Sequence, residues 1–353
     1  MIIFDAHVHA REAGTPEFNE VMPTYASYSG AVYMMNFVNP LTLSDIPQDV
    51  EFCHKYAAAI MAQAVKAGNP SHLALIMPVL NNQMTPQNLE KFIKHARAFD
   101  IPLAGFKLFT QGQSTNSGYA PDIKLAQKLI DVIEDAGLPL ALHLECPDEP
   151  DPSKKEEAAF RRVLPKFIEK GGHQRDMKIS VEHISTEHGL MEVLCRNLSC
   201  TITPHHIAFN QEQFGITDPS QAEKVLSGTE PYYFCKPIIQ TSRNQYMLLH
   251  FWLDGGYACQ LMLGSDSAPH TADKKQGRPP AAGIYMGDVR ESYQYGKTQD
   301  VSDLIEKYSL NAAAFYGISQ ETLKPAAPCK NKNDLTNVVN IRRLAEAQFK
   351  KTK

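Results

Sequence analysis

The stretch Leu261-Met-Leu-Gly-Ser-Asp-Ser-Ala-Pro-His270 sets the pattern for the whole chain. Leu261 to Leu263 form an apolar run short enough for a buried strand. Gly264, Asp266, Pro269 and His270 then crowd the point where a strand meets a loop. A carboxylate and an imidazole at one strand exit can hold a metal, carry a proton or clamp an anion. Alone, Asp266-Ser-Ala-Pro269 reads equally well as a turn with an Asx cap. Its weight comes from earlier runs that end the same way.

Working back along the chain, Cys200-Thr-Ile-Thr-Pro-His-His206 and Lys178-Ile-Ser-Val-Glu-His-Ile-Ser185 read as strands carrying His205, His206 and His183 near their ends. Pro139-Leu-Ala-Leu-His-Leu-Glu145 does the same with His143. Leu103-Ala-Gly-Phe-Lys-Leu-Phe-Thr110 holds Lys107 inside an otherwise apolar run. Such a lysine either snorkels to an edge or is buried; if buried, its pKa falls and a neutral amine becomes available. Leu73 to Leu80 is apolar throughout, and Gly30 to Phe37 leaves Asn36 at its exit. Residues 2–9 run into His7-Val8-His9-Ala10-Arg11. Positions 7 and 9 of a strand point to one side, so both imidazoles reach a common ion.

Between these runs the apolar spacing of three and four predicts helices over Pro47 to Ala67, Pro86 to Phe99, Pro121 to Ala136 and Val301 to Tyr316. A lysine-rich segment from Ser153 to Lys170 reads as one amphipathic helix with a solvated face, and Pro237 to Gly255 as another helix. Gln111 to Gly118, with Ser114 and Thr115, is small and polar, as suits a mobile loop that hydrogen-bonds a ligand. Eight strands alternating with helices predict a closed (β/α)8 TIM barrel over residues 1–320, with 321–353 as a polar appended segment. In that fold function gathers at the carboxyl ends of the strands, which is where the polar residues above fall.

Bulk properties agree with a single enzyme domain. The 353 residues are 43% hydrophobic, enough for a large core. A net charge of -4 offers nucleic acid or an acidic membrane no electrostatic footing. No run approaches about 18 consecutive apolar residues, and the start lacks a basic, apolar leader, so a cytoplasmic setting is expected. The seven cysteines form no CxxC pair and are expected to stay reduced.

Histidines, an aspartate and a lysine converging at strand ends suit zinc, iron, manganese or cobalt. Lys107 is a poor ligand as a cation, but as a carbamate it has two oxygens able to bridge a pair of metals. Metals sharing a hydroxide would polarise a carbonyl, and Asp266 could shuttle the proton to a leaving nitrogen. The reaction class is hydrolysis, or the reverse condensation, at an amide-like carbon.

His7-Val-His-Ala-Arg11, the lysine strand and Asp266 resemble the amidohydrolase superfamily. Glu182-His-Ile-Ser-Thr186, Thr201-Ile-Thr-Pro-His-His206, Gly264-Ser-Asp-Ser-Ala-Pro-His270 and Asn311-Ala-Ala-Ala-Phe-Tyr-Gly317 are more narrowly similar to type II bacterial dihydroorotases. The resemblance implies a zinc-dependent enzyme interconverting N-carbamoyl-L-aspartate and (S)-dihydroorotate in pyrimidine biosynthesis, working as a homodimer. It implies that His7, His9 and Asp266 hold one zinc, His143 and His183 a second, and carboxylated Lys107 the bridge between them. It further implies that Arg11, Asn36 and His270 bind the substrate carboxylate, that Ser114 and Thr115 ride a closing loop, and that Asp266 is the acid/base. His143 counts among the substrate contacts as well.

The chain departs from the family pattern at Lys236, where leucine is common, and near Arg278, where a small residue is expected. Its C-terminal segment also lacks an apolar, tryptophan-containing ending. If the two cations faced the pocket, the substrate could instead be another cyclic imide or ureide, such as a hydantoin or allantoin. A non-catalytic scaffold is the third reading; it would be expected to have lost a metal ligand, and none of the six candidates is missing.

Overall fold

A computed structural model of the chain describes residues 3–15, 18–19, 32–38, 41–66, 68, 72–110, 117–229, 233–254, 260–266, 268 and 301–318. The apolar runs are strands: β1 Ile3–Val8, β2 Val32–Val38, β3 Leu73–Pro78, β4 Phe106–Phe109, β5 Leu140–His143, β6 Ile179–Val181, β7 Ser199–Ile202 and β8 Leu261–Leu263. Parallel pairing joins β1, β2 and β3 in one ladder, and β4, β5, β6, β7 and β8 in another. The ladders meet at two seams. Bridges Ile76↔Leu103 and Val79↔Lys107 link β3 to β4. On the other side the Asp266 amide donates to the His7 carbonyl at 2.8 Å, and the Ser265 amide to Asp5 Oδ1 at 2.9 Å. The sheet thereby closes on itself, as a barrel must. Burial pushes the Asp5 carboxyl at this seam up to about 6.

Helices pack outside: α1 Ile46–Lys66, α2 Pro86–Ala98, α3 Ile123–Asp135, α4 Lys155–Arg162, α5 Leu164–Ile168, α6 Glu187–Cys195, α7 Pro204–Ala208, α8 Ala222–Thr229, α9 Ser242–Asp254 and α10 Val301–Phe315. Their starts are chemical. Thr85 Oγ1 accepts from the Asn88 amide before Pro86, and Asp122 Oδ1 from the Leu125 amide. In α3 the residues at three-and-four spacing, Ala126, Leu129, Ile130 and Ile133, are the buried ones.

Several expectations are corrected. Ser153 to Lys170 is not one helix, because Pro165 lacks an amide to continue α4 and starts α5 instead. Glu169–Lys170 then pairs with His173–Gln174 in an antiparallel hairpin, turned by Gly171 and Gly172 at φ 61° and 82°. Nor is α4 merely a solvated face, since Glu156, Ala158, Ala159 and Phe160 are buried. His205 and His206 lie on α7, started by Pro204, and not on strand β7. Helix α9 begins at Ser242 and not Pro237, and α6 occupies a segment given no element above. Residues 321–353 and the 111–116 loop lie outside the described residues. Among the described residues no helix is long and apolar enough to cross a membrane.

One buried carboxylate ties α4 to the exit of β6. Glu156, 3% exposed, accepts from the Ser185 amide at 2.8 Å and hydroxyl at 2.7 Å, from the Thr186 amide at 3.0 Å and from the Thr186 hydroxyl. Thr186 Oγ1 in turn caps α6 by accepting from the Gly189 amide at 3.0 Å. A Cβ on Gly189 would stand 2.2 Å from Glu156 Oε1, so the contact requires glycine. Glu156→Ala strands several buried donors and should cost about 3 kcal/mol or more in urea unfolding; a loss below about 1 kcal/mol contradicts the clamp. Burial pushes the Glu156 carboxyl from its ordinary 4.5 up to about 7, outweighing the hydrogen bonds that lower it. A raised folded pKa gives stability present at acid pH and lost as pH rises through about 7. Wild type should therefore lose stability relative to Glu156→Gln across that window, and a difference independent of pH contradicts the burial argument.

Candidate metal centre

Two strand exits meet at the β1–β8 seam. His7, on β1, and His9, just past its end, bring their Nε2 atoms to 3.2 Å. Asp266 Oδ1, just past β8, lies 3.2 Å from His7 Nε2 and 3.3 Å from His9 Nε2. Ligand bonds of about 2.0–2.1 Å at tetrahedral angles put neighbouring ligand atoms about 3.3 Å apart, so this triangle fits one cation. Gly264 makes the approach feasible: a Cβ there would be 2.8 Å from the Thr201 side chain and 2.9 Å from His7 Cβ.

His183 and His143 continue the cluster. Their rings meet edge-on with centroids 4.5 Å apart, and the His183 ring is 5.1 Å from that of His7. The donor atoms of His7, His183 and Asp266 lie within 4.8 Å of one another. Nδ1 of His183 is buried without a hydrogen-bond partner among the described residues, which suits a nitrogen kept for an ion. His143 Nε2 is 2.9 Å from Glu145 Oε2.

Lys107 sits at the middle with 0% exposure, its Nζ 3.3 Å from His7 Nε2, ion-paired with Glu182 and 4.6 Å over the Phe109 ring. It does not snorkel. Burial pushes its amine well below the ordinary lysine range, against the opposing pull of Asp266. The burial set from sequence as the condition for a lowered amine pKa is present. Burial likewise pushes His7 and His183 far down, helped by neighbouring Lys107 and histidines, and His9 to about 4. Burial pushes Asp266 up, but the hydrogen bond and charge of His9 outweigh it and hold the carboxyl below its ordinary value. Neutral imidazoles beside an ionised carboxylate form a donor set ready for a divalent cation at neutral pH.

The backbone is strained here. Arg11, His183 and Asp266 take φ of 63°, 40° and 51°, in the region that non-glycine residues avoid. Hydrogen bonds hold the latter two there: the His183 amide donates to Thr201 Oγ1 at 2.8 Å, and the Asp266 amide to His7 O.

Of the remaining candidates, Arg11 is half-buried and acts electrostatically on His9. The Asn36 backbone pairs with Val8 at the same mouth, and its side chain lies outside the described residues. Ser114, Thr115, His270 and Arg278 lie outside them too. Lys236 Nζ is 3.5 Å from Glu223 Oε1 on α8, which answers its charge at the surface. Sequence reasoning assigned no role to Glu182 or Glu145. A signal existed for Glu145, two positions beyond His143 and so on the same side of the strand.

The chain is 30% identical to a dihydroorotase of Coxiella burnetii over 323 residues, covering 89% of this chain and 84% of the relative. It is 27% identical to a dihydroorotase of Marinobacter nauticus, over 90% and 86%. Its fold matches the crystal structure of a Campylobacter jejuni dihydroorotase with TM-score 0.63 at 23% identity, covering 90% of this chain and 83% of the other. It also matches a dihydropyrimidinase from Brevibacillus agri with TM-score 0.64 at 15% identity, covering 92% and 72%. No family model matches the chain. With coverage near the full barrel and the histidines, lysine and aspartate of the mouth in place, the chain belongs to the dihydroorotase family, metal-dependent members of the amidohydrolase fold.

Proposed function

We infer that this chain is a dihydroorotase, interconverting N-carbamoyl-L-aspartate and (S)-dihydroorotate in pyrimidine biosynthesis. The observation that carries the reading is the convergence of His7, His9, Lys107, His183 and Asp266 on one barrel mouth in a chain of that family. His7, His9 and Asp266 would hold one zinc-class ion, and His143 and His183 a second. When bound, such a pair lowers the pKa of water and polarises an amide carbonyl. In Lys107 the buried neutral amine can bond the carbon of carbon dioxide and lose a proton. The resulting carbamate would supply an anion with two oxygens beside His7.

Asp266 has two carboxylate oxygens, so Oδ1 can face the histidines while the other handles a proton. In ring opening it accepts a proton from the attacking water and passes it to the departing ring nitrogen. Ring closure runs the same transfer backwards. Arg11, with its planar fork, suits the substrate carboxylate, together with Asn36 and His270. Ser114 and Thr115 fit a loop that closes over the bound acid and excludes water. The domain boundary near residue 320, a homodimeric assembly and a cytoplasmic setting complete the reading.

Lys107→Ala should lose at least about 100-fold in turnover and part of the bound metal. The checks are a coupled assay in both directions and elemental analysis of the same sample; full metal content and rate would return Lys107 to a packing role. Asp266→Asn keeps the shape but cannot carry a proton, and should lose about 100-fold or more both ways even where metal stays bound. Near-normal rates in a metal-replete Asp266→Asn protein would move the acid/base role to another residue.

A further inference from the structure

Beside the catalytic mouth a second group of ligand-type side chains lies outside the machinery assigned above. His205 and His206, both buried on α7, and half-buried Cys235, on the segment between α8 and α9, place their ligand atoms within 4.8 Å of one another. The two imidazole rings are 4.2 Å apart. We propose that these three side chains form a separate site for a zinc-class divalent cation.

The hydrogen bonds around the group show how an ion would be received. His206 Nε2, at 3.0 Å, and Cys235 Sγ, at 3.1 Å, both point at the Pro237 carbonyl. A thiol is a weak donor and gives up little when its proton leaves. On the other side of the ring, Thr203 Oγ1 lies 2.7 Å from His206 Nδ1 and 3.4 Å from His205 Nε2. A hydroxyl both accepts and donates, so His206 can move its proton from Nε2 to Nδ1, donate it to Thr203 and free the Nε2 lone pair. The Cys235 thiol loses its proton to water as the sulfur–metal bond forms, so one proton leaves per ion bound. Burial holds His206 near a pKa of about 4, so the ring is neutral and has no charge to shed. The Thr203–His206 contact is then the outer hydrogen bond that metal-bound imidazoles usually keep. Two nitrogens and a thiolate select zinc or cobalt(II) over magnesium and calcium.

Such an ion has structural work available. Ile216, Ala222, Leu226, Ile238 and Ile239 form a small apolar cluster distinct from the main core. The contacts of His206 and Cys235 with Pro237 join the segment carrying that cluster to the barrel at the exit of β7. An ion shared by α7 and Cys235 would staple the two parts. The inference does not depend on which reaction the neighbouring centre catalyses.

The centre assigned to the reaction has no sulfur ligand, which makes a thiolate signal specific. Metal-free protein titrated with cobalt(II) should develop a near-ultraviolet thiolate-to-cobalt charge-transfer band. Cys235→Ser should lose that band and bind about one equivalent less cobalt, whereas Lys107→Ala should keep the band. No band at saturating cobalt, or an equal band in Cys235→Ser, overturns the proposal. Unmutated protein gives an independent reading: saturating zinc should slow alkylation of Cys235 by at least about tenfold while exposed Cys195 reacts as before. Equal Cys235 alkylation with and without zinc also overturns it.

Discussion

A lysine amine with no exposed surface, set among histidines at the mouth of a parallel barrel, constrains everything around it. An ammonium in that position pays heavily in lost hydration, and a single carboxylate returns only part of the cost. Glu182 provides that carboxylate here, and the lowered Lys107 pKa shows which way the balance falls. The lowered pKa values of the lysine and the histidines are one effect seen at several residues, because burial penalises each cation and each cation penalises the others. A neutral amine can become an anion by taking up carbon dioxide, and an anion among neutral imidazoles and Asp266 is what divalent cations require.

Holding that cluster together takes backbone strain, and the strain is answered locally. His183 and Asp266 sit at positive φ directly beyond their strands, each fixed by a hydrogen bond to a neighbouring strand exit. Ser185 and Thr186, just past His183, are gripped by Glu156 from α4. Gly189 and Gly264 remove side chains where the clamp and the seam leave no room. His183 and Asp266 therefore lie on turns held from behind by buried polar contacts, an arrangement that favours a fixed geometry.

Much of this was legible before any coordinates. Short apolar runs such as Leu73–Pro78 read as strands buried on both faces, and His7 with His9 share a side by strand period alone. What escaped depends on partners distant in sequence. Glu156 reaches Ser185 across 29 residues and Lys107 meets Glu182 across 75, and no periodicity marks either pair. The break between α4 and α5 was legible in Pro165, but the lysine-rich composition suggested one continuous solvated face. His205 and His206 read from sequence as strand-end residues, but Pro204 opens α7 and brings them near Cys235.

The barrel by itself leaves the chemistry open, and the proposed chemistry turns on Lys107. The most direct test is a crystal structure of zinc-loaded protein with anomalous data collected at the zinc edge. The account predicts a pair of anomalous peaks, one against His7, His9 and Asp266 and the other against His143 and His183, with a carboxylate on Lys107 Nζ lying between them. A lone peak at this centre, or an unmodified Lys107 amine still paired with Glu182 in the metal-loaded protein, would contradict it.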